Sequence, residues 1–224
     1  MKHAALCKQL GYRFLQPQLL QRALTHRSYS AAHNERLEFL GDSVLNFCIA
    51  KYLYQHYSDL DEGELSRLRS NLVNQQTLAT LARQLNLGEQ LLLGEGELKS
   101  GGFSRPSILA DTLEALFGAV LLDSDFISAE KVVLGLYVPF IAQADLQTLG
   151  KDAKTLLQEL LQGRKLALPN YTVAEIKGDA HAQTFVVCCE IAKYGIKTRG
   201  EGSSRRIAEQ AAANLAYQQI KEKP

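Results

Sequence analysis

The chain has 224 residues, of which 46% are hydrophobic and 22% are charged, and its formal net charge at pH 7 is +1. These proportions exclude a disordered, collagen-like or coiled-coil chain. The longest apolar runs are well short of the ~20 residues that cross a bilayer, and the N-terminus lacks the apolar core of a secretory signal, so we predict a cytoplasmic protein with no membrane partner. The four cysteines lack the spacing of a zinc site or a disulfide framework.

The first two thirds of the chain have the periodicity of helices. From residue 17 onward, apolar residues recur at intervals of three and four, and no alternating segment occurs before residue 170. We predict a glycine-rich loop at residues 94–102 and helical regions at residues 19–24, 34–57, 65–85, 107–122 and 128–142. Gly88 is predicted to end the third region.

The pattern changes after a polar segment that contains glycine. We predict a first domain at residues 1–146, a linker at 147–152 and a second domain at 153–222. The second domain contains a helix at 153–162, strands at 171–177, 184–191 and 196–199, and a helix at 204–220. This α-β-β-β-α order predicts an α+β fold with both helices on one face of an antiparallel sheet, after an all-α N-terminal domain.

The charge is divided unevenly between these domains. Residues 1–148 contain 13 basic and 16 acidic residues, whereas residues 149–224 contain 12 basic and 8 acidic residues. We therefore expect the C-terminal domain to bind a polyanion.

Acidic residues share one side of the long helix predicted at 34–57. At helical spacing, Glu38 and Asp42 lie within about 60° of Glu35. The other sides of this helix are largely apolar, so we expect the helix to be buried. Acids in a first helical turn can simply complement the helix dipole at the surface, which is an alternative for Glu35 and Glu38 but fits Asp42 poorly.

A second apolar helix carries Asp111 and Glu114 on one face. If the two helices face each other, they bring four carboxylates together: Glu38, Asp42, Asp111 and Glu114. Buried like charges repel unless a cation lies between them, and oxygen ligands without His or Cys favour Mg²⁺, with Mn²⁺ as a substitute. Such a site suits metal-dependent hydrolysis of a phosphate ester.

The start of the last predicted helix has the residues of an anion site. Ser204 can cap the helix, and Arg205 and Arg206 lie in its first turn. A capped helix start exposed to solvent is the alternative. Other basic residues in the domain favour a nucleic-acid ligand, and the lack of an aromatic stacking platform favours a duplex such as A-form RNA.

Residues 35–43, with the sequence ERLEFLGDS, resemble the signature of bacterial ribonuclease III. Residues 23–28 (ALTHRS), 61–63 (DEG), 96–102 (GELKSGG) and 111–115 (DTLEA) also resemble that family, and the C-terminal part resembles a double-stranded-RNA-binding domain. The resemblance covers nearly the whole chain. It implies a Mg²⁺-dependent endoribonuclease that cleaves double-stranded RNA to 5′-phosphate and 3′-hydroxyl ends, acts as a homodimer on ribosomal RNA precursors and other structured transcripts, and needs no small-molecule cofactor.

The resemblance also implies roles for individual residues. Glu38, Asp42, Asp111 and Glu114 would be the catalytic and metal-binding carboxylates, and Glu35 and Glu62 would be accessory acids. Residues that would contact RNA are Thr155, Gln158, Glu159, His181, Ser204, Arg205 and Arg206.

Two positions depart from the family pattern. Ala153 stands where proline is frequent, and Glu209 stands where lysine is common. Because an acid at this position can weaken phosphate affinity, we expect binding to depend on Arg205 and Arg206. Two other functions remain open from the residues alone: a non-catalytic double-stranded-RNA-binding protein, and a metal-dependent hydrolase of DNA or small phosphate esters.

Overall fold

A computed structural model describes residues 3–143, 153–178 and 183–221. The chain divides into two compact units, residues 1–149 and 150–224. The predicted linker at 147–152 lies outside the described residues, so the predicted domain boundaries stay predictions. Within the described ranges, no helix combines the length and apolar character needed to span a bilayer.

The N-terminal unit is helical. Short 3₁₀ turns lie at Leu87–Glu89 and Gly102–Ser104. The α-helices are α1 (Ala4–Leu10), α2 (Pro17–Ala23), α3 (Glu35–His56), α4 (Glu62–Leu72), α5 (Gln75–Gln84), α6 (Glu95–Lys99), α7 (Pro106–Asp123) and α8 (Phe126–Gln143).

Local chemistry explains where several of these helices begin. Pro17 and Pro106 occupy first helical positions, where the missing amide hydrogen costs nothing. Asp61 and Glu64 form a reciprocal capping box at the start of α4. Asn74 accepts a hydrogen bond from the backbone N of Thr77 at 2.9 Å, which starts α5 and divides the helical region predicted at 65–85 into two helices.

Two short helices were not predicted. Helix α1 precedes the first predicted element, and the five residues of α6 lie inside the segment predicted as a loop. Both are too short for an apolar period to be recognised.

Helices α3 and α7 pack with their backbones in contact. A Cβ atom at Gly41 would overlap the carbonyl oxygen of Glu114, and one at Gly118 would overlap the carbonyl oxygen of Leu37. Only glycine permits this approach at both positions. The contact brings the first two turns of α3 beside the acidic part of α7.

The prediction that α3 is buried nearly all round is wrong. Its inner residues, such as Leu45 and Ile49, are fully buried, but Phe39, Phe47 and Tyr54 are 79%, 57% and 78% exposed. Hydrophobic periodicity does not distinguish an apolar face that packs inside the chain from one that remains at its surface.

The C-terminal unit has the predicted α-β-β-β-α order, and its fold class is confirmed. Its elements are α9 (Ala153–Gly163), β1 (Asn170–Lys177), β2 (Thr184–Ile191), a 3₁₀ turn (Ala192–Tyr194), β3 (Ile196–Gly202) and α10 (Arg205–Lys221). The strands form an antiparallel sheet in the order β1-β2-β3. Leu157 and Leu161 of α9 pack with Ala212 and Ala216 of α10 over Cys189, which places the core on one face of the sheet.

Candidate active site

Three carboxylates converge where α3 and α7 meet. One carboxylate oxygen from each of Glu38, Asp111 and Glu114 lies within 4.8 Å of the others, and all three residues are partly buried. Glu38 lies one turn before Gly41 on α3, and Gly118 lies one turn after Glu114 on α7. The glycine contact between the helices therefore determines how closely these acids approach.

Burial and mutual repulsion change the acidity of this cluster. Burial, followed by the charge of Asp42 and then those of Asp111 and Glu38, raises the pKa of Glu114 to about 8. Burial and the charge of Asp111 also raise the pKa of Glu38. The pKa of Asp111 is raised by burial, although the nearby His26 and Arg27 oppose this change. The cluster therefore resists carrying its full negative charge in the absence of a cation.

Asp42 lies beside the three converging acids but is exposed. Its Oδ1 accepts a hydrogen bond from Asn46 Nδ2 at 2.8 Å, one turn farther along α3. It is close enough to raise the pKa values of Glu38 and Glu114. The structure thus brings together three of the four carboxylates expected in the metal site, with the fourth at the edge of the cluster.

The two accessory acids occupy different environments. Glu35 is 47% exposed and forms an ion pair with Arg27 at 3.2 Å. Glu62 begins α4, accepts a hydrogen bond from Ser66 at 2.8 Å and lines a cavity of about 470 Å³ beside Phe47. Glu35 is therefore next to the cluster, whereas Glu62 belongs to another cavity of the same unit.

A polar cavity of about 540 Å³ opens beside Glu38 and Asp111. Arg27, Arg105 and Asn34 line it, and these residues were not predicted as site residues from their spacing. Asn34 is 2% exposed, and its Nδ2 has no hydrogen-bond partner among the residues that the structure describes. Of these three residues, Arg27 lies in the segment 23–28, whose resemblance to a family motif was the sequence signal for this part of the cavity lining.

The donor set fits a hard divalent cation. Three carboxylates with closely spaced oxygens supply only oxygen ligands, which Mg²⁺ and Mn²⁺ prefer. A cation among them would also relieve the repulsion that raises their pKa values.

The predicted RNA-contacting residues lie in the C-terminal unit. Gln158, Glu159, Arg205 and Arg206 are exposed, and Thr155 and Ser204 are partly buried. Thr155, Gln158 and Glu159 share α9, whereas the two arginines occupy the first turn of α10, where Ser204 Oγ accepts a 3.3 Å hydrogen bond from the backbone N of Ile207. His181 lies outside the described residues.

The chain thus combines an all-helical unit that carries a carboxylate cluster with an α-β-β-β-α unit whose last helix begins with two arginines, and family models identify the pair as a nuclease domain and an RNA-binding domain. Residues 16–141 match the family described as Ribonuclease-III-like, and residues 153–220 match the double-stranded RNA binding motif. The chain is 62% identical to Ribonuclease 3 of Ralstonia pickettii over 95% of its length and 83% of that protein. It is 60% identical to Ribonuclease 3 of Bordetella pertussis over 97% of its length and 85% of that protein.

A solved structure agrees with these matches. The nuclease domain of ribonuclease III from Campylobacter jejuni, 42% identical in sequence, superposes with a TM-score of 0.61 and covers 65% of this chain and 100% of that domain. The chain therefore belongs to the ribonuclease III family. It is an endoribonuclease that acts on double-stranded RNA, which confirms the predicted function and disfavours the non-catalytic alternative.

Proposed function

We propose that this endoribonuclease hydrolyses RNA at the cluster of Glu38, Asp111 and Glu114, with Asp42 completing the site and Mg²⁺ as the bound ion. The observation that carries this proposal is the convergence of three carboxylates whose pKa values are all raised. Repulsion among the acids is costly in the folded protein and is relieved when a cation binds, so the same residues that destabilise the site select a divalent ion. Mn²⁺ is expected to replace Mg²⁺.

The bound ion would supply a water of lowered pKa and neutralise charge on the phosphoryl group. The residues of the chain hold the reacting groups for this chemistry. Glu38 projects from α3 and Glu114 projects from α7, so the two carboxylates would hold the ion from two sides. Asp42, whose Oδ1 is held by Asn46, would complete the site from the exposed edge of the cluster. The resemblance to ribonuclease III implies that cleavage leaves 5′-phosphate and 3′-hydroxyl ends.

The C-terminal unit is proposed to hold the duplex. Exposed Gln158 and Glu159 on α9, with Thr155, suit contacts to 2′-hydroxyl groups in a minor groove. Arg205 and Arg206 at the capped start of α10 suit phosphate oxygens. His181 is proposed as a further RNA contact on the basis of the resemblance alone.

The nuclease unit is proposed to act as a homodimer. The aromatic side chains of Phe39, Phe47 and Tyr54 form an exposed apolar face on α3, which is a suitable surface for a second copy of the chain. A solved structure of the Campylobacter jejuni nuclease domain is described by the structural flexibility of a region involved in dimer formation of that domain. Two nuclease units related by a two-fold axis match the two antiparallel strands of a duplex.

We further propose that precursors of ribosomal RNA, and also structured transfer and messenger RNAs, are the substrates, and that the enzyme acts in the cytoplasm. The support for this assignment is the match over most of the chain to proteins named Ribonuclease 3.

The test is incubation of the purified chain with an end-labelled RNA duplex, with single-stranded RNA and duplex DNA in parallel, under Mg²⁺, Ca²⁺ or EDTA. We expect short fragments from the RNA duplex with Mg²⁺ and none with EDTA. Glu114→Gln should retain duplex binding and lose cleavage, whereas the control Glu89→Gln, which changes an exposed acid of the same unit, should cleave normally. Full cleavage by Glu114→Gln, or duplex that is bound but intact in every lane, would contradict the proposal.

A further inference from the structure

Glu209 is a buried carboxylate that contacts two cations in the C-terminal unit. The residue is 9% exposed. Its Oε2 lies 2.6 Å from Nζ of Lys154, and its Oε1 lies 2.8 Å from Nε of Arg205. These distances are those of strong, charge-assisted hydrogen bonds.

The two cations come from the first turns of different helices. Lys154 is the second residue of α9, and Arg205 is the first residue of α10. The backbone N of Lys154 also donates to Oε1 of Gln210 at 3.2 Å, and its Nζ lies 4.6 Å from the ring centroid of Tyr171. Glu209 therefore lies at the point where the starts of the two helices are held together.

This geometry argues against a weakening of phosphate binding by Glu209. Its charge is not presented to the solvent, because two cations cover it. The hydrogen bond from Lys154, and with a smaller effect that from Arg205, lower the pKa of Glu209 in spite of its burial. The carboxylate is thus ionised at neutral pH and paired on both oxygens.

The contact also orients Arg205. Its Nε is engaged by Glu209, yet the side chain is 63% exposed. A guanidinium group has five N–H donors, so the bond at Nε leaves the four donors at the far end of the group outside this contact. A phosphate oxygen would meet a guanidinium group whose direction is already determined, which reduces the entropy lost on binding.

We propose that Glu209 is a positioning residue for duplex RNA. It holds the Arg205 guanidinium toward a phosphate, while Lys154 pairs with its other oxygen and keeps the carboxylate in place. This inference rests on the proposed RNA contact of Arg205.

The test compares duplex-RNA binding by the full chain in EDTA, where cleavage is prevented, for Glu209→Gln, Arg205→Gln and the double variant. We expect each single change to weaken affinity by about fivefold to twentyfold and to lower the salt slope of binding by about one. Because Glu209 acts through Arg205, the double variant should bind nearly as well as Arg205→Gln alone. Glu190→Gln is the charge control, since it removes an exposed carboxylate of the same unit that is 3.5 Å from Lys197, and it should not weaken binding.

A further variant does not depend on the stability of the buried site. Arg205→Lys keeps the positive charge at an exposed position but removes the Nε–H group that donates a hydrogen bond to Glu209. The Arg205→Lys variant should bind RNA as weakly as Glu209→Gln does. Combining the two substitutions should change the RNA affinity little further.

Several results separate failure of this proposal from failure of the proposed function. Unchanged or tighter binding by Glu209→Gln, wild-type affinity in Arg205→Lys, or additive losses in the double variant would overturn the positioning role while Arg205→Gln still weakens binding. If Arg205→Gln itself binds normally, the proposed phosphate contact is wrong, and the positioning role is overturned with it.

Discussion

The raised pKa of Glu114 predicts that the nuclease unit becomes less stable as the pH increases in the absence of divalent metal. Burial and the neighbouring carboxylates raise this pKa from an ordinary value near 4.5 to about 8. Between these two values the folded protein holds more protons at this carboxyl group than the unfolded chain does. The free energy of unfolding therefore falls as the pH rises from 5 to 8.

The magnitude follows from the size of the change. At about 1.4 kcal/mol for each pKa unit, the loss of stability reaches an upper bound of about 4 kcal/mol at pH 8. Glu114 is only partly buried, and water that reaches the cluster screens its charges, so we expect about half of this value, or about 2 kcal/mol. For a unit of this size, that corresponds to a decrease of about 4–8 °C in the melting temperature.

The assay is thermal unfolding of the full chain in EDTA at pH 5, 6, 7 and 8, followed by circular dichroism. The transition of the nuclease unit is identified by its upward shift when Mg²⁺ is added. Glu114→Gln should flatten the pH dependence and should be more stable than the wild type at pH 8 in EDTA. The exposed-acid control Glu89→Gln should behave like the wild type. A melting temperature that is constant over this range, or an equal decrease in Glu114→Gln, would refute the reasoning.

Three further predictions concern the packing and the surface of the nuclease unit. Gly41→Ala would drive a methyl group into the carbonyl oxygen of Glu114, so it should cost about 3 kcal/mol of unfolding free energy in denaturant titrations and abolish Mg²⁺ stabilisation. Asp123→Ala removes the acceptor of hydrogen bonds from Tyr12 and two backbone amides at 2.7–2.8 Å, so the same titrations should show a loss of about 2–3 kcal/mol. Phe39→Asp places a charge on the exposed face of α3 and should shift sedimentation toward the monomer without changing the circular dichroism spectrum.

Much of the nuclease site was predictable because its spacing is local. Glu38 is four residues from Asp42, and Asp111 is three residues from Glu114, so helical periodicity alone indicates which side chains share a face. Periodicity does not indicate which faces meet. For that reason it could not distinguish the exposed aromatic face of α3 from a buried one, and Glu62 was found only through the resemblance.

Glu209 shows the same limit in the other unit. The family pattern, in which lysine is common at this position, predicted only that the acid would reduce the positive charge of a basic surface. Its shortest contact, Lys154, is 55 residues away in the sequence, and no local pattern connects the two. The sign of its expected effect on RNA binding therefore depends on a tertiary contact.

The two units respond differently to the same physical cost, the burial of carboxylate charge. In the C-terminal unit, Glu209 lies between two cations of the chain, and its pKa is lowered. In the nuclease unit, Arg27 and His26 oppose the effect of burial at Asp111 but do not outweigh it, and Glu114 remains the most perturbed acid of the cluster. The first arrangement is paired within the chain, whereas the second is expected to gain stability when a cation is added. This contrast supports the proposal that the backbone contact at Gly41 and Gly118 holds the nuclease acids close together for an ion, at a cost to the metal-free fold.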